Sequence, residues 1–224
     1  MMPEMNGYEL CTAIKSDINL CHIPIIFLTA KNDIDSKVKG LKVGAEAYIE
    51  KPFSYDYLKA QILSLLNNRQ KEREAFSKRP FFPVQNMQMS KEDEVFMNKV
   101  IEVINANMED ETFNVERMAE ALCLSRSSLL RKIKTLFNMS PIDFIRLIRL
   151  KKAAELIQDG KYRVGEISYM VGFGSHSYFS KLFFKQFGMT PKDFEQQIAS
   201  TRSKVRNVQE INIEDLIQNN RANS

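Results

Sequence analysis

Hydrophobic and polar positions divide the chain into differently patterned stretches. Between residues 1 and 66, helix-like periods alternate with strand-like segments, and the longest apolar run, Ile23 to Ala30, is interrupted at Pro24. Such alternation predicts an α/β fold. Residues 67–94 are polar and charge-rich, carry Pro80 and Pro83, and read as a linker whose start continues the preceding helix. Residues 95–199 show helical periodicity almost throughout, and residues 200–224 form a polar tail expected to be partly disordered.

One pattern occurs twice in the helical stretch. Asn114 is placed to cap a short helix, Val115 to Leu122, whose Val115, Met118, Ala119 and Leu122 share a face. After a turn at Cys123–Leu124, Ser125 caps a second helix with Leu129, Ile133 and Phe137 on its inner side. Small Ala119 lets the two helices approach closely, and two helices joined by a brief turn make a helix-turn-helix, whose second helix is free to enter a major groove. The pattern recurs from Val164 to Phe187. There Ile167, Met170 and Val171 form the first face, Ser175 is the cap, and Phe179, Phe183 and Phe187 point inward. Gly172 supplies the positive φ that a tight corner needs, and the turn is one residue longer than in the first copy. Cys123 stands where such corners usually carry glycine, so slight strain is expected in the first copy.

Between the copies, Pro141 suits a first helical position and Gly160 an end. Phe144, Ile145, Leu147, Ile148, Leu150, Ala153, Ala154, Leu156 and Ile157 give this helix an apolar surface wide enough for partners on two sides. Its length, ~27 Å at ~1.5 Å per residue, is close to the ~34 Å turn of duplex DNA. A helix of that length suits two recognition helices in adjacent major-groove segments.

Charge sharpens the picture. Residues 1–66 hold seven Lys/Arg against eight Asp/Glu, net −1, whereas residues 125–192 hold thirteen against four, net +9. A local cationic excess favours a polyanion, because each neutralised phosphate releases condensed counterions. Catalysis finds little to use: the only histidines are His22 and His176, and neither a nucleophile–base arrangement nor a phosphate-cradling glycine loop is present. The chain therefore reads as no enzyme. No apolar run approaches the ~20 residues that cross a bilayer, and Met1 to Tyr8 lacks the basic start and apolar stretch of a secretion signal. Cys11, Cys21 and Cys123 form no CxxC pair and are expected to be buried thiols in a reducing cytoplasm.

The runs SRSSLLRKIKTLFNMSPIDFIRLIRLKKAAELI and VGEISYMVGFGSHSYFSKLFFKQFGMTPKDF closely resemble the AraC/XylS family DNA-binding domain, most specifically from Gly172 to Pro191. The resemblance implies groove-facing positions at Ser127, Leu130 and Arg131, with Arg126 and Lys134 nearby for phosphates. Arg131 is the candidate for bidentate contact to guanine, and Leu130 at most touches a thymine methyl. In the second copy the matching positions are His176, Ser177, Tyr178, Ser180 and Lys181. The implied partner is double-stranded DNA, read at two adjacent major-groove segments.

Residues 1–66 resemble the second half of a response-regulator receiver domain. IPIIFLTA looks like its fourth strand, ending in Thr29, and GLKVGAEAYIEKPF supplies its fifth strand and Lys51–Pro52. The resemblance gives Thr29 and Lys51 contacts to a phosphoryl group, a cis peptide before Pro52, and the aromatic switch position to Tyr48. The acceptor aspartate and the metal-binding acid pair of that family fall before Met1, so phosphoryl transfer has no carboxylate to use and Mg²⁺ is expected only of an intact receiver. The implied fold is a flavodoxin-like α/β receiver remnant lacking its first three strands, followed by an all-α double helix-turn-helix domain. Ile25 to Leu28 would then lack a proper partner, and the remnant is expected to pack poorly. The chain reads as a fragment, with boundaries at 1–66, 67–94, 95–199 and 200–224. The resemblance further implies the output end of a phosphorelay, an upstream histidine kinase, a longer protein tethered to a membrane, and dimerisation through Ile34 to Leu66. An interaction fragment that dimerises through its receiver region, without a switch of its own, is the competing reading.

Overall fold

The computed structural model describes residues 5–17, 20–30 and 34–202, with only the backbone at position 36. The expectations for Met1 to Glu4 and for the tail beyond residue 202 lie outside the described residues. The chain divides into two compact units, one of Met1–Asn107 and Thr112–Ile148, the other of Met108–Glu111 and Arg149–Ser224.

The first unit begins with α1 (Gly7–Ser16), β1 (Ile26–Thr29), α2 (Ile34–Lys42), β2 (Ala47–Glu50) and α3 (Tyr55–Lys78). Asn6 starts α1 with a reciprocal cap: its side chain accepts from the Tyr8 and Glu9 amides, and Glu9 accepts from the Asn6 amide. β1 and β2 pair in parallel, from Ile26 opposite Ala47 to Thr29 opposite Glu50. Among the described residues the sheet has these two strands. Ile49 is buried, Ile26 and Phe27 are half-buried, and Leu28 is exposed. Lys15 ties the layers together. Its ammonium lies 2.9 Å from Glu46 Oε1 and donates to the Cys21 and Ile23 carbonyls, while Arg69 of α3 approaches the same carboxylate at 2.7 Å.

The stretch from 67 to 94 is more ordered than a connector. It holds the second half of α3, a short 3₁₀ turn at Val84–Asn86 and the start of α4 (Lys91–Ala106). Phe76, Val84 and Asp93 within it are buried. The Phe76 ring lies tilted 5.0 Å from Phe137 and stacked 6.1 Å from Phe144, centroid to centroid, so α3 ends inside the core of the first helical bundle. That bundle is completed by α5 (Val115–Ala121), α6 (Arg126–Phe137) and the first part of α7 (Pro141–Asp159).

The second unit contains the remainder of α7, α8 (Val164–Met170), α9 (His176–Phe187) and a helix over residues 191–202. Phe183 sits at the centre of its core, 5.7 Å from Phe179, 4.9 Å from Phe187 and 5.6 Å from Phe194. Along α7, all nine apolar positions singled out from the sequence are buried except Leu156, which is half-buried. No helix among the described residues is long and apolar enough to cross a membrane.

Candidate nucleic-acid interface

Each helix-turn-helix is built by the same local devices, fifty residues apart from the second cap onward. Asn114 accepts from the Arg117 amide, and Ser125 and Ser175 accept from the Ser128 and Tyr178 amides, so three of the four helices start on side-chain caps. α8 starts at Arg163, whose amide donates to Glu166 at 2.8 Å. α6 and α9 stop on left-handed residues, Asn138 and Gly188, with φ of 56° and 78°. Ser140 and Thr190 then receive the Asp143 and Asp193 amides, at 3.3 and 3.2 Å, and open the next helix of each unit.

The corners also match. Cys123 donates to the Glu120 carbonyl and Leu124 to Ala119; in the second unit Gly172 donates to Tyr169 and Phe173 to Ser168. Both corner residues have positive φ, 54° at Cys123 and 71° at Gly172, which accounts for the strain expected at the cysteine. Cys123 is also exposed, unlike Cys11 and Cys21, which corrects the expectation of three buried thiols. It occupies the outside of a turn, where no packing face exists. At Gly172 space is a second constraint: a Cβ would lie 2.5 Å from the Met108 carbonyl oxygen and 2.7 Å from the Arg149 guanidinium carbon. That buried guanidinium donates to the carbonyls of Gly172 and Asp110, at 2.9 and 2.5 Å.

With Leu129, Ile133 and Phe137 buried on one side of α6, the opposite side presents Arg126, Ser127, Leu130, Arg131 and Lys134, all exposed. In α9 burial of Phe179 and Phe183 leaves His176, Ser177, Tyr178 and Lys181 exposed, with Ser180 half-buried. Each recognition helix therefore gathers its sequence-derived positions on the face turned from its core. Arg126 is held 2.8 Å from Glu116 of α5 in a solvent-exposed ion pair.

Two family models match the chain: a response regulator receiver domain over residues 1–63 and a helix-turn-helix domain over residues 118–197. The chain joins a receiver-domain sequence to an AraC-type helix-turn-helix domain. That is the composition of a DNA-binding response regulator. A protein called histidine kinase P4, from Formosa agariphila, is 39% identical over 88% of the chain, which spans 14% of that relative's length. The phosphate regulon transcriptional regulatory protein PhoB of Pseudomonas aeruginosa is 47% identical over 66 residues, 30% of this chain and 29% of its own. The C-terminal domain of AraT, a response regulator from Geobacillus stearothermophilus, is 30% identical, covers 45% of this chain and 83% of its own, and has a TM-score of 0.41.

Within the AraC-type domain the charge is less generous than the sequence count. Lys132, Arg149 and Lys151 are buried, so three of the thirteen cations between 125 and 192 do not face solvent. Conversely, α9 exposes Phe184 and Lys185, which motif reasoning passed over. Phe184 lies fifty residues from Lys134, so the internal repeat was the signal that would have found it.

In the receiver-domain region, Thr29 ends β1 and Lys51 follows β2, and the Lys51 amide donates to the Thr29 carbonyl at 2.8 Å. Thr29 is half-buried, Lys51 is exposed, and the Lys51–Pro52 peptide is cis. Tyr48 is half-buried, its ring 6.2 Å from Phe27. Parallel pairing thus brings Thr29 and Lys51 together at the C-terminal ends of the two strands, with Tyr48 partway along β2. Among the described residues no three His, Cys, Asp or Glu side chains group as a metal site.

Proposed function

We propose that this chain is the sequence-specific DNA-binding output end of a two-component phosphorelay. The observation that carries the reading is the repeated geometry of α6 and α9: each has a side-chain cap, a buried apolar stripe and a polar, partly cationic face opposite it. Arg131 is assigned the bidentate reading of a guanine, worth ~1–3 kcal/mol of discrimination. Ser127 and Leu130 flank it, and Arg126 and Lys134 hold phosphates. On α9, Ser177, Tyr178, Ser180 and Lys181 read a second stretch of groove, with His176 at the helix start.

Signal input belongs to the receiver-domain region. The likeness to a histidine kinase supports a hybrid setting in which a kinase is the upstream partner. Exposed Ile34, Val38 and Leu41, spaced along α2, support self-association through that region. Sedimentation of the chain tests this: a dimer lost in Ile34→Asp plus Leu41→Asp agrees, and an unchanged monomer contradicts it.

DNA binding itself is tested by titrating the chain onto random-sequence duplex at several salt concentrations. Affinity is expected to fall with a log–log slope of roughly −0.9 per phosphate contacted. An absence of binding at low salt contradicts the proposal.

A further inference from the structure

The back of α6 carries a lysine where α9 carries Leu182. Lys132 is 6% exposed and pairs with Asp93 of α4, which is 1% exposed. The same ammonium donates to Cys21 Sγ at 3.1 Å, and that thiol donates to Asp93 Oδ1 at 3.4 Å. The other carboxylate oxygen accepts from the Ser90 hydroxyl at 3.0 Å, and the Phe96 ring lies 5.8 Å from the ammonium. The buried charges therefore have partners on α4, α6 and the loop before β1.

A second tie joins the C-terminal end of α6 to α3, the helix that begins in the receiver-domain region. Arg73 of α3 donates to the Thr135 and Leu136 carbonyls at 2.7 and 2.9 Å. Carbonyls in a last turn have no donor inside their own helix, so these bonds satisfy two groups that α6 leaves open. Arg69, one turn earlier on α3, donates to the His22 carbonyl, and Phe76, one turn later, packs on Phe137. One stripe of α3 thus touches both the Cys21–His22 loop and the recognition helix.

Burial and Lys132 lower the pKa of the His22 imidazole against the pull of Asp93, with Arg69 and Arg73 also lowering it.

Packing alone does not call for charges here. A buried ion pair is often replaceable by apolar residues at no cost in stability, and Leu182 fills the corresponding place in the second unit with no charge. We infer that Arg73 and Lys132 are positioning residues for base reading. They lock the first recognition helix to α3, which begins in the receiver-domain region, and to the Cys21 loop, so a shift of either reaches Ser127, Leu130 and Arg131. This rests on the proposed DNA-binding function and adds the route by which the receiver-domain region governs it.

The test uses the full chain and the duplex it enriches from a random pool, divided so that each half carries one recognition box. The α6 box is the one lost with Arg131→Ala. Arg73→Ala, and Lys132→Leu combined with Asp93→Leu, are expected to weaken that box at least tenfold and the other box less than twofold. Arg73→Lys, which keeps a donor, is expected to recover part of the loss. In the same variants, amide exchange is expected to quicken in residues 126–137 and to stay unchanged in 176–187. Equal loss at both boxes, or unchanged affinity and exchange, overturns the inference. If the parent chain enriches no box, the DNA-binding proposal fails instead, and the exchange pattern alone still decides whether α3 holds α6.

Discussion

Cys123 and Gly172 hold the same corner of their respective helix-turn-helix units, at left-handed φ values of 54° and 71°. An L-residue in this conformation costs roughly 1–2 kcal/mol, and a glycine there costs more unfolded-chain entropy. Cys123→Gly is therefore expected to raise stability by about 0.5–1 kcal/mol. Gly172→Ala meets the Met108 carbonyl and Arg149 as well as the backbone penalty, and is expected to lose at least about 2 kcal/mol. Urea titrations of the two variants read both effects; stabilisation by Gly172→Ala contradicts the account.

Lys151 is a cost that the second unit carries. Burial pushes its pKa down from 10.5 to about 8, partly opposed by Glu155. Between those values the unfolded chain binds more protons than the folded one, so stability rises with pH from about 8 to 10.5, and below about 8 the whole penalty is present. Lys151→Met is expected to stabilise the protein at neutral pH by about 1–2 kcal/mol and to flatten the alkaline rise. A loss of stability in thermal unfolding at pH 7 would count against this.

Acid should act at the α3–α6 junction. The His22 pKa is lowered, first by burial and next by Lys132, so the folded state resists protonation more than the unfolded chain does. The stabilising difference is complete above the ordinary value of 6.5 and is lost as pH falls below it. His22→Gln is expected to reduce the fall in melting temperature between pH 7 and 5. An identical slope in the variant and the parent would contradict this.

The Arg126–Glu116 pair, 2.8 Å apart and open to solvent, holds a phosphate-contact candidate back against α5. Such pairs contribute ~0–1 kcal/mol, so Glu116→Gln should leave the melting temperature nearly unchanged. DNA affinity is expected to rise a few-fold, and the salt slope to steepen by at most about one unit. Weaker binding in the variant would mean that Arg126 meets no phosphate.

Much of this was legible because it is local. Asn114, Ser125 and Ser175 announce helix starts by residue type, and Leu129, Ile133 and Phe179, Phe183 announce buried faces by period. The inward turn of Lys132 was not legible, since its partner Asp93 lies on another helix and its thiol partner Cys21 lies 111 residues earlier in the chain. The stretch from 67 to 94 continues the preceding helix as its pattern implies, but its polar composition conceals single buried contacts, Phe76 and Val84, that only tertiary packing reveals. Cys123 was expected inside because cysteine is usually buried, yet its corner position puts it outside.

The most direct test of the central claim is selection of binding sites from random duplex DNA by the full chain, with Arg131→Ala plus Lys181→Ala as control, at two salt concentrations. The account predicts two short enriched boxes about one helical turn apart, both absent from the control selection. Binding that responds to salt alone, enriches no sequence and is the same in the control would contradict it.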